Sequence, residues 1–296
     1  MSIFSFVILN YNNYKDTEDC VLSIIDNIKY DSFYIVLVDN GSTDNSEKKL
    51  KSKFKNHSKI ILISNKENLG FSKGNNIGYI YAKYNLKSNF ICYLNNDTII
   101  SDYNFINKIY DIYSENKFDV LGPDIINLEG RHTNPYAAEG YSLKEINKFI
   151  FKFRCHIILN KINLDGLLIL LISKMKKNHT DKIEYNCELS GIKLHGACLI
   201  FSKKYIDNFE GISEYTFLYF EEDILYFSAK KNHLKVIYNP SISILHKEGS
   251  TAKKLFKKNK LSEAFYYKQC LKSLKILRNI LKKDCSCLLQ KTNKKG

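Results

Sequence analysis

The chain has 296 residues and a formal net charge of +14, with 44% hydrophobic and 26% charged residues. This length suits one large α/β domain or two small ones, and the composition excludes a disordered or fibrous chain. The eight cysteines contain no C-x-x-C pair, which argues against a zinc site. The first residues lack the basic and small-residue features of a signal peptide, so we expect free thiols in a reducing cytoplasm.

The basic charge is concentrated at the C-terminal end. Residues 251–296 contain 14 Lys and Arg residues and two acids, a balance of +12, which leaves +2 for residues 1–250. A nucleic-acid enzyme would carry basic residues around its working groove. We therefore expect no nucleic-acid partner and interpret the tail as an appended basic element.

The first part of the chain alternates between apolar runs and helical patterns. Buried strands are predicted in four apolar runs that end in polar residues: Ser5–Asn13, Tyr34–Asp44, Ile60–Gly70 and Phe90–Asp97. Helices are predicted between them at Thr17–Ile28, Ser46–Phe54 and Lys73–Tyr84. This β-α alternation predicts a doubly wound α/β fold, with a mainly parallel sheet and helices on both faces. Ligands bind beyond the carboxyl ends of such strands, where these polar residues lie.

The later elements are less regular. Residues 101–125 are predicted to form a helix and then a strand, Leu194–Ile206 a strand leading into a helix, and His233–Leu245 a strand with a bend at its proline. The apolar segment Leu167–Ile172 is too short to cross a bilayer. We expect a buried helix there rather than a helix on a membrane surface.

Two segments near the strand ends are candidates for a nucleotide site, and each has a structural alternative. Asp39 precedes Gly-Ser-Thr and suits a hydrogen bond to a base or ribose, although an Asx turn also explains it. We assign Asp39 to a ligand and Asp44 to capping of the next helix. The segment Asn68–Gly78, "NLGFSKGNNIG", matches neither G-x-G-x-x-G nor a Walker loop. It is either a turn that opens a helix or backbone that approaches a nucleotide closely.

Asp97 in "LNNDT" and His246 in "ILHKEGST" are candidates for a metal or diphosphate site. A lone carboxylate with neighbouring amide oxygens suits Mg²⁺ or Mn²⁺ bound to a diphosphate. An Asn-Asp turn explains the first stretch equally well. His246 follows a strand and either completes a metal shell or has the structural role that is more common for a lone His.

Three consecutive acids, Glu221, Glu222 and Asp223, lie between aromatic runs in "FLYFEEDILYF". A carboxylate in an apolar pocket has a raised pKa and can serve as a general base. Acids at a helix start also stabilise the helix dipole. The two explanations are compatible.

Taken in order, the motifs resemble the family 2 glycosyltransferases, which are inverting enzymes of the GT-A fold. The resemblance covers residues 3–251, is strongest to bacterial rhamnosyl- and galactofuranosyl-type transferases, and rests on "VILNYNN", "VDNGSTD", "NLGFSKGNN", "LNND", "HGACLIF", "FLYFEED" and "HKEGS". It implies that a sugar moves from a UDP- or dTDP-type nucleoside-diphosphate sugar to an acceptor hydroxyl, with Mg²⁺ or Mn²⁺. The implied acceptor is a lipid-linked glycan for a capsule, an O-antigen or a related polymer. The implied location is cytoplasmic, peripherally at the inner face of the cell membrane.

The resemblance also implies a role for individual residues. Asp39 would contact the base, and the remaining nucleotide-sugar contacts would be Asn10, Tyr11, Asn68, Gly70, Asn75 and Asn96. Asp97 and His246 would hold the metal, and Asp223 would be the catalytic base with Glu222 beside it. Residues 1–125 would then form the nucleotide-sugar-binding half of the catalytic domain, residues 126–250 its acceptor-binding half, and residues 251–296 a basic amphipathic tail.

The chain departs from the family pattern at two places. The Asp-x-Asp motif keeps one carboxylate, and Ala229 stands where an Arg is common after the acidic triplet. Two other classes of protein stay open: a catalytically inactive scaffold that binds nucleotide or glycan, and a sugar-phosphate nucleotidyltransferase. The second would need a Gly-rich, Arg-containing loop after the first strand, and "NYNNYKD" does not provide it.

The tail contains an apolar stripe with basic residues around it. The stripe consists of Leu261, Ala264, Phe265, Leu271, Leu274, Leu277 and Leu281. This pattern is typical of a helix on an anionic membrane, and a helix packed on the catalytic domain would show the same stripe. The charge of the tail favours the membrane, so we predict salt-sensitive binding to anionic vesicles.

Overall fold

The computed structural model describes residues 2–161, 184–248, 260–282 and 289–292. Its strands are β1 (Phe4–Asn10), β2 (Phe33–Asp39), β3 (Ile60–Ser64), β4 (Phe90–Asn95), β5 (Thr98–Ile99), β6 (Val120–Asn127), β7 (Leu189–Ser190), β8 (Cys198–Ser202) and β9 (Val236–His246). Its helices are α1 (Tyr14–Asn27), α2 (Ser46–Phe54), α3 (Phe71–Tyr84), α4 (Phe105–Asn116), α5 (Leu143–Lys161), α6 (Lys203–Asn208), α7 (Glu221–Lys231) and α8 (Lys260–Lys282).

The strands of the described ranges form one sheet, in the order β3-β2-β1-β4-β8-β6-β9-β5, with β7 paired to β9. Strands β1 to β4 are parallel, and so are β6 and β9. Strand β8 runs antiparallel to both of its neighbours, β4 and β6. The short strands β5 and β7 also run antiparallel to their neighbour β9. The mainly parallel, doubly wound sheet is therefore confirmed, with β8 inverted in its middle and two short inverted strands beside β9.

Helices cover both faces of this sheet. On one face α1, α2 and α4 pack against alternate residues of β1, such as Phe6 and Ile8. On the other face α3, α6 and α7 pack around Val7, Tyr93 and Phe201. Burial on both faces explains why the central strands are continuous apolar runs in the sequence.

Several predicted elements differ in detail from the observed ones; the first helix, for example, begins at Tyr14 rather than Thr17. Helix α3 begins at Phe71 rather than Lys73, directly after Gly70, whose φ of +84° only glycine adopts readily. The predicted bend in the last strand is a bulge, because Asn239 lies opposite Pro123 while Ser243 lies opposite the next residue, Asp124. The predicted helix at Leu167–Ile172 lies outside the described residues.

Helix α8 packs against α5 and against the start of α7. Leu274 and Leu277 of its predicted stripe are fully buried and contact Ile146, Ile150 and Ile224. Leu271 and Leu281 are partly buried in the same cluster. Packing therefore accounts for the second half of the stripe, whereas Phe265 is 41% exposed and the side chain of Leu261 lies outside the described residues. The membrane contact of the tail stays a prediction. None of the helices in the described ranges has the length and apolar composition that a bilayer crossing requires.

Candidate active site

The ends of β1 and β2 are joined by the side chains of Asn10 and Asp39. The two residues are register partners in the parallel pair, and both are fully buried. Asn10 Nδ2 donates to Asp39 Oδ2 at 2.6 Å and to Ser42 Oγ at 3.1 Å. The Ser42 backbone N–H donates to Asp39 Oδ1 at 2.9 Å. The Asp39 carboxylate thus shapes the loop after β2, which is the turn role that the sequence left open for it.

A second set of hydrogen bonds connects Asn10 to the turn after β4. Thr17 Oγ1 donates to Asn10 Oδ1 at 2.8 Å, and Asn96 Nδ2 lies 2.8 Å from Thr17 Oγ1. Asn10, Thr17 and Asn96 are all buried. One polar network therefore runs along the carboxyl edge of the sheet, from Asp39 to the "LNND" turn, as the strand-end argument predicted.

Asn40 holds the glycine-containing segment against this edge. Its Nδ2 donates to Asn68 Oδ1 at 3.0 Å and to the Gly70 carbonyl at 3.1 Å. Asn75 faces inward at the first turn of α3, where its Nδ2 donates to the Phe71 carbonyl. Sequence reasoning missed Asn40, although a second polar residue directly after Asp39 was a usable signal.

Tyr11 and Asp44 flank the network. Tyr11 follows Asn10 and is half-buried. Asp44 Oδ1 accepts a hydrogen bond from the Ser46 backbone N–H at 3.0 Å, so it serves the start of α2, while the N-cap position itself is Asn45.

Asp97 and His246 lie together, although 149 residues separate them in the chain. The short pairing of β5 with β9 places Thr98 opposite His246, and His246 Nε2 lies 3.1 Å from Asp97 Oδ1. Both residues are buried. Within the described part of the chain, His246 Nδ1 is buried and has no hydrogen-bond partner. If Nε2 donates to Asp97, this second nitrogen carries a free lone pair.

A second imidazole, that of His195, lies beside this pair. The ring centroids of His195 and His246 are 5.4 Å apart. Burial, with a smaller contribution from His246, lowers the pKa of His195 to about 4, so its ring is neutral at neutral pH. Among the described residues, no three His, Cys, Asp or Glu side chains are grouped closely enough to form a metal site by themselves.

The Asp223 carboxylate forms a buried ion pair with Lys193. Lys193 Nζ lies 3.1 and 3.2 Å from the two carboxylate oxygens, and the side chains of Lys193 and Asp223 are 1% and 3% exposed. The Tyr141 backbone N–H also donates to Asp223 Oδ1, at 3.2 Å. Burial raises the pKa of Asp223, and the charge of Lys193 opposes that rise. Sequence reasoning missed Lys193, a single cation in the apolar stretch "GIKLHG".

The two acids before Asp223 have different surroundings, although all three lie in the first turn of α7. Burial, with Glu222 adding to it, raises the pKa of Glu221 to about 8. Thr216 Oγ1 donates to Glu221 Oε1 at 3.2 Å. Glu222 is half-buried and lies against Gly196, where a Cβ atom would be 2.9 Å from Glu222 Oε1.

A cavity of about 390 Å³ adjoins these acids. Asn95, His195 and all three acids contribute to its wall. Aromatic side chains form much of the remaining wall: Phe71, Tyr136, Tyr141, Phe149, Phe153, Tyr219, Phe220 and Tyr266. Tyr266 and Cys270 belong to α8, so the C-terminal helix forms part of this wall.

The fold is of the GT-A type, a class in which a doubly wound sheet presents polar strand ends to a ligand. The chain is similar to S. aureus TarS residues 1–349, with a TM-score of 0.51 and 15% identity, over 83% of this chain and 60% of that one. The same region of TarS in complex with UDP gives a TM-score of 0.53 and 14% identity, over 94% of this chain and 64% of that one. The chain thus spans less than two thirds of each of these structures.

The sequence model for glycosyl transferase family 2 matches residues 5–166, and the chain belongs to this family. The low-salt glycan biosynthesis hexosyltransferase Agl10 of Haloferax volcanii is 22% identical over 245 residues, which cover 82% of this chain and 67% of that protein.

Proposed function

We propose that the protein transfers a sugar from a UDP- or dTDP-type nucleoside-diphosphate sugar to an acceptor hydroxyl, with inversion at the anomeric carbon. One observation carries this proposal: Asn95, at the end of β4, lines the same cavity as Glu222 and Asp223. A donor held at the strand ends would therefore meet an acceptor held in the cavity. The similarity to a hexosyltransferase and to a structure determined in complex with UDP supports a nucleotide-sugar donor.

The nucleotide would occupy the carboxyl edge of the sheet. The hydrogen-bonded network around Asn10 and Asp39 fixes the loops on which Tyr11 and Asn68 stand. A preordered edge of this kind reduces the entropy lost when a ligand binds. The proposed donor contacts are Asn10, Tyr11, Asp39, Asn68, Gly70, Asn75 and Asn96.

Asp97 and His246 would hold a Mg²⁺ or Mn²⁺ ion. The Asp97 carboxylate fits this ion, because such ions usually take one or two protein carboxylates and complete their shell with phosphate oxygens and water. His246 Nε2 lies 3.1 Å from Asp97 Oδ1, so it is the ring nitrogen that would face the same ion as this carboxylate. When bound, the ion would neutralise the negative charge that develops on the departing diphosphate.

Asp223 would act as the general base. A base must be ionised before it can accept a proton, and burial raises the pKa of the Asp223 carboxyl group and so favours its protonated form. Lys193 counteracts burial and so favours the ionised form at neutral pH. Asp223 would take the proton of the acceptor hydroxyl as its oxygen bonds to the anomeric carbon. The bond from that carbon to the diphosphate breaks on the opposite face, and the nucleoside diphosphate leaves with the bonding electrons.

The acceptor would be a lipid-linked glycan of a surface polysaccharide, used at the inner face of the cell membrane. The aromatic wall of the cavity supports a glycan, because aromatic rings pack well against the apolar faces of sugar rings. Tyr136, Tyr141 and Tyr266 would provide such contacts.

A panel of nucleotide sugars tests the proposal, with release of nucleoside diphosphate and the anomeric configuration of the product as readouts. We expect turnover with a UDP- or dTDP-sugar and an inverted product. Nucleotide binding without any turnover would favour the inactive scaffold, and a retained configuration would contradict the mechanism.

Two substitutions at adjacent carboxylates test the assignment of the base. Asp223→Asn should lower transfer about 10²–10⁴-fold while donor binding stays near wild type. Glu222→Gln is the matched control and should have a smaller effect. A larger loss of transfer in Glu222→Gln than in Asp223→Asn would identify Glu222 as the base instead. In that case Gly196→Ala, which displaces the Glu222 side chain, should also lower transfer.

A further inference from the structure

The outer face of α5 exposes apolar and basic side chains together. We use this name for Leu143, Lys144, Asn147, Lys148, Phe151, Arg154 and Ile158, which follow one another at helical spacing. Phe151 is 70% and Ile158 61% exposed, whereas Ile146 and Ile150 on the inner face are buried against α8. The outer face therefore carries apolar area that α5 does not use for packing within the described residues.

The charge of this face is uniformly positive. Lys144, Lys148 and Arg154 are exposed, and the face contains no acid; the nearby Glu145 accepts hydrogen bonds from Ser142. Helix α8, which packs against α5, carries further exposed positive charges: Lys268, Lys272, Lys275 and Lys282. A second copy of this chain would bring the same positive charge to the contact, so self-association through this face would be opposed by repulsion.

We propose that the outer face of α5 docks on an anionic lipid bilayer, with Phe151 and Ile158 entering the headgroup region. Exposed aromatic and aliphatic side chains among lysines and arginines are the pattern of helices that lie in a membrane interface. The face thus supplies apolar contact area that Leu274 and Leu277 of α8 cannot supply, because those two side chains are buried. The basic residues of both helices would attract anionic headgroups.

Docking in this way would also bring the cavity close to the bilayer. Lys152 and Phe153 of α5, and Tyr266 of α8, line the cavity beside the acidic triplet. A lipid-linked sugar could then enter the cavity without leaving the membrane. This last step rests on the proposed function, whereas the docking itself does not.

Cosedimentation of the full chain with vesicles tests the proposal. We expect binding to vesicles of equal parts phosphatidylcholine and phosphatidylglycerol, weaker binding at high salt, and little binding to phosphatidylcholine alone. Lys144→Glu with Lys148→Glu should weaken binding at least about 30-fold. The matched control is Lys48→Glu with Lys55→Glu, two exposed lysines of α2 and its C-cap, and should leave binding near wild type.

The apolar contribution has its own pair of variants. Ile158→Ser should weaken vesicle binding, while Leu128→Ser, at a residue of similar exposure (67%), should not. Equal binding by Lys144→Glu/Lys148→Glu and its control would overturn the proposal. So would a chain that dimerises in solution through Ile158 and ignores vesicles. Nucleotide affinity, measured without vesicles, should be unchanged in all four variants, so a failure of docking is distinguishable from a failure of the proposed reaction.

Discussion

Replacing Lys193 by Met would leave the Asp223 carboxylate buried without its partner. Both side chains are almost fully buried, at 1% and 3% exposure, and the ammonium group also lies 4.3 and 4.7 Å from the ring centres of Tyr141 and Tyr136. Breaking a buried ion pair by removing one partner costs about 3–5 kcal/mol of unfolding free energy. We therefore expect Lys193→Met to lower the free energy of unfolding by about this amount at neutral pH.

The loss should depend on pH in a defined direction. Without Lys193, burial would raise the pKa of Asp223 further, so the folded variant would hold a proton that the unfolded chain releases. The stability of the variant should then fall as pH rises from the unfolded pKa towards the new folded pKa. The acid limb of the pH–rate profile of transfer should shift to higher pH for the same reason.

Urea denaturation of matched variants measures the effect. Lys204→Met is the control, because Lys204 Nζ lies 3.0 Å from the buried Asp119 but its own side chain is 54% exposed. An exposed partner contributes about 0–1 kcal/mol. The double variant Lys193→Met/Asp223→Asn should be more stable than the sum of the single changes predicts, since neither charge remains. A loss for Lys193→Met no larger than that for Lys204→Met would show that the buried pair contributes no more to stability than the exposed one.

Three further predictions concern the metal, a glycine and a buried acid. Mn²⁺ should raise the affinity for nucleoside diphosphate in calorimetry of the wild type but not of Asp97→Ala; equal affinities would exclude the metal role. Gly70→Ala should lower the free energy of unfolding by about 2–4 kcal/mol, because φ is +84° and the new Cβ would clash with the Phe217 carbonyl oxygen, whereas Gly130→Ala (φ +74°, open space) tests the backbone effect alone. The pKa of Glu221 is raised to about 8, so wild-type stability should fall as pH rises from about 5 to about 8, and Glu221→Gln should flatten that slope in urea titrations.

Local patterns predicted the strand-end edge well. Continuous apolar runs that end in Asn10 and Asp39 are the direct result of strands buried on both faces, so their positions could be read from the sequence. The inversion of β8 could not, because the direction of a strand depends on which neighbours it meets and not on its own residues. The covering of both sheet faces by helices could also be predicted, because continuous apolar runs indicate strands that are buried on both faces.

Contacts between distant segments were the part that the sequence did not predict. Lys193 and Asp223 are 30 residues apart, and only the fold places the cation beneath the start of α7. The apolar stripe of α8 was visible in the sequence, but it had two physical explanations, contact with a membrane and packing on the catalytic domain. The burial of Leu274 and Leu277 shows that this part of the stripe packs within the protein, while Phe265 of α8 and Phe151 and Ile158 of α5 are exposed.

The central claim is that a nucleoside diphosphate binds at the carboxyl edge of the sheet, beside the acidic cavity. Photocrosslinking tests it most directly, using an azido derivative of the nucleotide sugar that the donor panel selects, followed by peptide mapping. We expect labelled peptides from residues 10–13, 39–44 or 65–71, with labelling suppressed by an excess of the unmodified nucleotide. Suppressible labelling confined to other parts of the chain would contradict it.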